Sequence, residues 1–129
     1  MYVSLKIKYI ESISVIINDL IKKELIEYFR LNLNVEMISK WNRYLKYFGI
    51  NYSLKWILSK IVETLEFTIS NDSYIVKINN NIRINGYNLN RLSKLIEYGN
   101  NEIKGTKLIG DSFEYLKENI NNIISREVG

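Results

Sequence analysis

The stretch Glu66-Phe67-Thr68-Ile69-Ser70-Asn71-Asp72-Ser73-Tyr74-Ile75-Val76-Lys77-Ile78 decides the fold class of this chain. Phe67 and Ile69 alternate with Thr68 and Ser70, the period of a half-solvated strand, and Asn71-Asp72-Ser73 supplies turn chemistry before a second strand-like run. The stretch predicts a β-hairpin. Beyond it Asn79-Asn80-Asn81 reads as a further turn, and Ile82 and Ile84, with Arg83 and Asn85 on the other face, predict a third short strand that ends at Gly86.

Toward the N-terminus, Val3, Leu5, Ile7 and Tyr9 recur with period two, which predicts a short strand, and then the period changes. Ile10, Ile13, Ile17, Leu20, Ile21, Leu25 and Tyr28 follow three-and-four spacing and predict an amphipathic helix from about 10 to 31. Asn32 and Asn34 flank its end, and Asn tolerates the left-handed conformation that stops a helix. A second helix, about 35 to 48, would bury Ile38, Trp41, Leu45 and Phe48 and stop at Gly49. Ser53 can cap a third, running to about Leu65.

On the other side of the hairpin region, which spans about 66 to 86, two C-terminal helices are expected between about 88 and 127. Leu89 to Tyr98 has helical spacing with Asn88 as its cap. Gly99, Gly105 and Gly110 punctuate a loop, and Asp111 or Ser112 can cap a last helix carrying Phe113, Leu116, Ile120 and Ile123. Residues 1–129 thus read as one α+β domain, amphipathic helices packed on a small antiparallel sheet.

The 129 residues include no His, Cys, Pro, Ala or Gln, but 22 Ile, 17 Asn and ten Tyr, the imprint of a very AT-rich coding sequence. Without His or Cys there is no zinc finger, no imidazole base, no thiol nucleophile and no disulfide framework. The longest apolar run, Val15-Ile16-Ile17, is far short of the ~20 residues that span a bilayer, so no membrane segment is expected. The alternating N-terminus does not resemble a signal peptide, and the chain reads as made in the cytoplasm.

Carboxylate pairs Glu24/Glu27 and Glu114/Glu118 lie at helical spacing, but Lys and Arg neighbours and the lack of an apolar pocket describe a solvated face rather than an acid/base pair. The three Asp and eleven Glu match no calcium loop. Gly99 to Lys107 has the wrong order for a phosphate loop and reads as a turn between two helices. No catalytic residue, cofactor or metal is expected. The formal charge of +4 lies in residues 1 to 65 and concentrates in 37 to 60, where Lys40, Arg43, Lys46, Lys55 and Lys60 meet no acidic residue. Trp41, Tyr44, Tyr47, Phe48, Tyr52 and Trp56 are interleaved with them. This cation and aromatic mixture suits phosphate neutralisation and base stacking, and it makes Lys40, Arg43 and Lys46 the candidate contacts of a small nucleic-acid-binding regulator. It equally describes the outer face of an ordinary amphipathic helix.

Residues 94 to 124 resemble the closing segment of phage tail-completion and head-tail connector proteins. In that family an aliphatic-Glu-aromatic-Gly-Thr element precedes a glycine-bearing loop and a final amphipathic helix. Here Ile96-Glu97-Tyr98-Gly99 stands at the element, Asn100 replaces the Thr, and the loop carries Gly105 without the usual Pro. The N-terminal strand and long helix are similar to the same family, although Tyr9 stands where a Gly is usual and the Gly-Arg-Leu motif before the hairpin is missing. The resemblance implies a non-enzymatic virion protein of the neck or tail, a homomeric ring between portal and tail whose partners are other neck, portal or tail proteins. It places the exposed contacts at the turns 71 to 73 and 79 to 81 and in the loop 99 to 110.

Overall fold

The computed structural model describes residues 1–7 and 14–128 and bears out the α+β class. Helices and strands follow in the order β1 (Tyr2–Lys6), α1 (Ser14–Asn32), α2 (Val35–Tyr47), α3 (Leu54–Glu63), β2 (Glu66–Ser70), β3 (Ser73–Lys77), β4 (Arg83–Ile84), β5 (Tyr87–Asn88), α4 (Leu89–Tyr98) and α5 (Leu108–Val128). The hairpin expected at 66 to 78 is β2–β3, and its tip is turned by Asn71 at φ 54°. Its register puts Phe67 opposite Val76 and Ile69 opposite Tyr74. β1 pairs antiparallel with the other side of β3, Val3 opposite Val76 and Leu5 opposite Tyr74. β3 is therefore central, and Val3, Leu5, Phe67, Ile69, Tyr74 and Val76 share one face of the sheet.

That face is the floor of the core. α5 lies on β1 and packs along α1, which in turn meets α3, while α2 and α4 close the layer from the sides. Lys22 of α1 reaches over the Phe67 ring, 5.8 Å from its centroid. Leu5, Ile17, Ile21, Leu25, Trp41, Leu45, Ile57 and Val76 are inaccessible to water or nearly so. The core is dominated by Ile and Leu, so an AT-rich composition has cost the interior nothing.

The caps explain why the helices begin where they do. Asn34 Oδ1 accepts the Met37 amide at 2.7 Å, Ser53 Oγ the Trp56 amide at 3.1 Å, and Asn88 Oδ1 the Arg91 amide at 3.1 Å. Gly49, at φ +77°, ends α2, with its own amide bonded to Lys46 O and that of Ile50 to Leu45 O.

Several expectations need correction. Asn32 does not stop α1 through a left-handed conformation; it is the last helical residue, and its side-chain amide nitrogen donates to Tyr28 O, while Asn34 caps the next helix instead. The start expected at Ile10 lies outside the described residues. In α2 only Trp41 and Leu45 are buried; Ile38 is half-buried and Phe48 exposed, because Phe48 lies past the last helical turn and packs edge-on against Tyr44 and Tyr47. The third strand does not extend the main sheet. It is β4, and it pairs with β5 in a separate two-stranded sheet turned by Asn85 and Gly86, a partner too short to show as a period in the sequence. The last helix starts at Leu108, before either expected cap, and Ser112 instead bonds Ile109 O from within the helix.

Candidate functional site

The family-like element turns out to be a joint. Ile96 and Glu97 close α4, and Glu97 is 5% exposed although it is a carboxylate. Burial pushes its carboxyl above the ordinary value; the Gly110 and Ile109 amides pull it back only in part. Its Oε1 accepts the Ile109 amide at 2.9 Å and its Oε2 the Gly110 amide at 3.0 Å. Thr106 Oγ1 accepts the Leu108 amide at 3.2 Å, and Lys107 O the Asp111 amide at 3.0 Å. Every amide in the first turn of α5 is thereby satisfied, and a carboxyl group faces the positive end of the helix. Glu97 is a cap delivered from another helix, 12 residues before Ile109.

The backbone around it explains the glycines. Gly99 holds φ 71° and ψ −163°, a region essentially closed to other residues, and Asn100 Oδ1 receives the Glu102 and Ile103 amides as the chain turns. Gly105 lies directly against the Glu97 carbonyl, and the neighbouring amides of Thr106 and Lys107 bond Ile96 O and Glu97 O. Gly110 faces the Glu97 carboxylate with no room for a side chain. Tyr98, between these fixed points, is 71% exposed. Of the 99 to 110 loop only part is free surface: Asn100, Asn101, Glu102, Lys104 and Lys107 are exposed, whereas Ile103, Leu108 and Ile109 are buried anchors. The turns at 71 to 73 and 79 to 81 are largely exposed, as expected.

Tyr98 stands beside one edge of the main sheet. With Met1, Tyr2, Phe113 and Lys117 it lines an open cleft of about 500 Å³ along β1. At the opposite edge, β2 leaves Ile69 54% exposed on the sheet's apolar face, beyond the cover of the helices. The outer edges of β1 and β2 pair with no other strand among the described residues.

Lys40, Arg43 and Lys46 are positioned on α2, all three exposed, and they enter no ion pair among the described residues. Tyr52 and Trp56 stack on each other beyond the α2–α3 turn, ring centroids 4.0 Å apart and 16° from parallel. Sequence reasoning missed what joins them. Asn85 Nδ2 donates to Gly49 O at 3.2 Å and Tyr87 Oη to Phe48 O at 3.4 Å, which holds the β4–β5 hairpin against the α2–α3 turn. Residues 73 to 96 contain Lys77, Arg83, Arg91 and Lys94 and no carboxylate. Phe48 and Gly49 of one carboxylate-free segment thus meet Asn85 and Tyr87 of another, while Lys60 pairs with Glu63 and Lys77 lies opposite Glu66.

Three of the four paired carboxylates are exposed, while Glu24 is half-buried and accepts from the Tyr115 hydroxyl at 3.5 Å. Glu27 is bonded to Arg30, which lowers its pKa, and Glu114 and Glu118 are exposed. No cluster of potential metal ligands is present among the described residues. Nor is any described helix long and apolar enough to cross a membrane.

No model of a known protein family, no curated protein and no solved structure matches the chain. Its function has to be argued from the joint, the two sheet edges and the basic face.

Proposed function

We propose that the chain is a non-enzymatic structural subunit of a phage virion, a neck or tail-completion component that forms a homomeric ring between portal and tail. The observation that carries this reading is the pair of unlike open edges on one sheet. A ring needs a head-to-tail contact between two different surfaces of the same subunit. The β2 edge offers an apolar projection, Ile69, and the β1 edge offers a cleft walled by Tyr2, Tyr98 and Phe113. Exposed strand edges and apolar side chains of this kind are disfavoured in a free monomer and serve as association surfaces. Tyr98 belongs to the element that resembles the connector family, and the Glu97 joint gives it a rigid mount. Portal, neck and tail proteins are the partners this reading implies, and the virion is its location.

Ile69→Lys tests it. The side chain is exposed, so the subunit should keep its melting temperature, surface changes usually staying within about 0.5 kcal/mol. A charged edge residue should nevertheless abolish assembly, read by analytical ultracentrifugation. Persistence of the wild-type oligomer in both Ile69→Lys and Tyr98→Lys would remove the edges from the interface.

A second reading, a nucleic-acid-binding protein, is favoured by one observation, the contact of the α2–α3 turn with the β4–β5 hairpin, which brings together two basic and aromatic stretches of chain.

A further inference from the structure

Between the β4–β5 hairpin and α4 lies a cleft of about 560 Å³. Arg83, Tyr87 and Arg91 are exposed around it, the buried Leu92 and half-buried Leu95 line it from α4, and no carboxylate contributes to its walls. Arg83 uses one nitrogen on the Gly86 carbonyl, 3.0 Å away, which leaves most of its donors outward; Arg91 makes no side-chain hydrogen bond or ion pair among the described residues. The rim is fixed. Asn88 Nδ2 donates to Asn80 O at 2.7 Å, and Asn90 Nδ2 to Asn80 Oδ1 at 3.4 Å, which ties the 79 to 81 turn to the start of α4.

Resting on the nucleic-acid reading, we propose that this cleft holds the sugar-phosphate backbone of a single-stranded nucleic acid, with Arg83 and Arg91 on phosphates and Tyr87 stacked on a base. Two planar guanidinium groups with no carboxylate to neutralise them favour a phosphate chain, whose oxygens accept paired N–H donors. An exposed aromatic ring lining the same cleft favours a strand with unpaired bases over a duplex, whose bases are hidden in the stack. Tyr87 also abuts the α2–α3 turn through its bond to Phe48 O.

The test is fluorescence anisotropy of the full chain with three probes across a salt series: a labelled oligothymidylate of about 20 nucleotides, a duplex of the same length and inorganic polyphosphate. The single strand should bind most tightly. Arg83→Gln with Arg91→Gln should weaken it about tenfold at low salt and make the salt slope shallower by about 0.7 for each phosphate no longer neutralised. Tyr87→Leu should weaken it several-fold without changing that slope. All three residues are exposed, and unchanged melting would confirm intact folding. Loss of binding in Lys40→Gln/Arg43→Gln/Lys46→Gln but not in the arginine variant would overturn the cleft and keep the nucleic-acid reading. Absence of any binding at low salt would overturn both. Equal affinity for polyphosphate, or tighter binding of the duplex, would reject the single strand as occupant.

Discussion

Glu97→Ala should cost about 3 to 5 kcal/mol and lower the melting temperature by more than about 10 °C, measured by circular dichroism and urea unfolding. The substitution leaves the buried Ile109 amide and the part-buried Gly110 amide without their acceptors, and an unsatisfied buried donor costs about 1–3 kcal/mol. It also removes the carboxyl group that caps the N-terminal end of α5. Such a loss is a large part of the roughly 5–15 kcal/mol by which a domain of this size is stable. Glu97→Gln should fall between, since it keeps one acceptor and turns an NH₂ toward the other amide.

The pH dependence has a definite sign. Burial is the largest influence on Glu97 and raises its folded-state pKa above the unfolded value. Its contribution to stability is therefore full below the unfolded pKa and is lost as pH rises through the folded one. The margin of the wild type over Glu97→Gln should be greatest in acid and narrow toward neutrality. A margin that widened as pH rose would mean that the two amides outweigh burial.

Gly105→Ala should be as damaging, at about 3 kcal/mol or more, for a different reason. A β-carbon at 105 would overlap the Glu97 carbonyl oxygen and the Tyr98 backbone, none of which can turn aside. The loop would have to retreat and break the bonds from Thr106 to Ile96 O and from Lys107 to Glu97 O. Gly86→Ala is the control. It meets nothing within 4 Å and carries only the strain of φ +84°, so it should cost about 1 to 2 kcal/mol. Similar losses for both would show that the joint tolerates movement and does not fix Tyr98.

Much of the fold is legible in the sequence, because local chemistry dictates it. Ser53 and Asn88 cap the helices they precede, and the alternation around Asn71 to Ser73 produces the hairpin. What escapes depends on distance. The Ile109 amide is capped by a residue 12 positions away, so Asp111 and Ser112, the polar residues nearest the helix start, look like the caps and are not. Glu97 stands out only by resemblance, with no sign in the sequence of its burial or partners. β5 is two residues long and has no period to detect. The basic residues are half visible: Lys40, Arg43 and Lys46 stand out as a run, but the hairpin that carries Arg83 and Tyr87 meets the end of α2 only through hydrogen bonds that span 36 and 39 residues. The near-neutral second half of the chain conceals their local charge.

The most direct test of the ring is the mass of the purified wild-type chain in solution, by native mass spectrometry with negative-stain electron microscopy of the same sample. A single closed assembly at a whole-number multiple of 15.3 kDa, seen as rings, is the predicted result. A strictly monomeric 15.3 kDa particle at every concentration, with no affinity for other virion proteins, would contradict it.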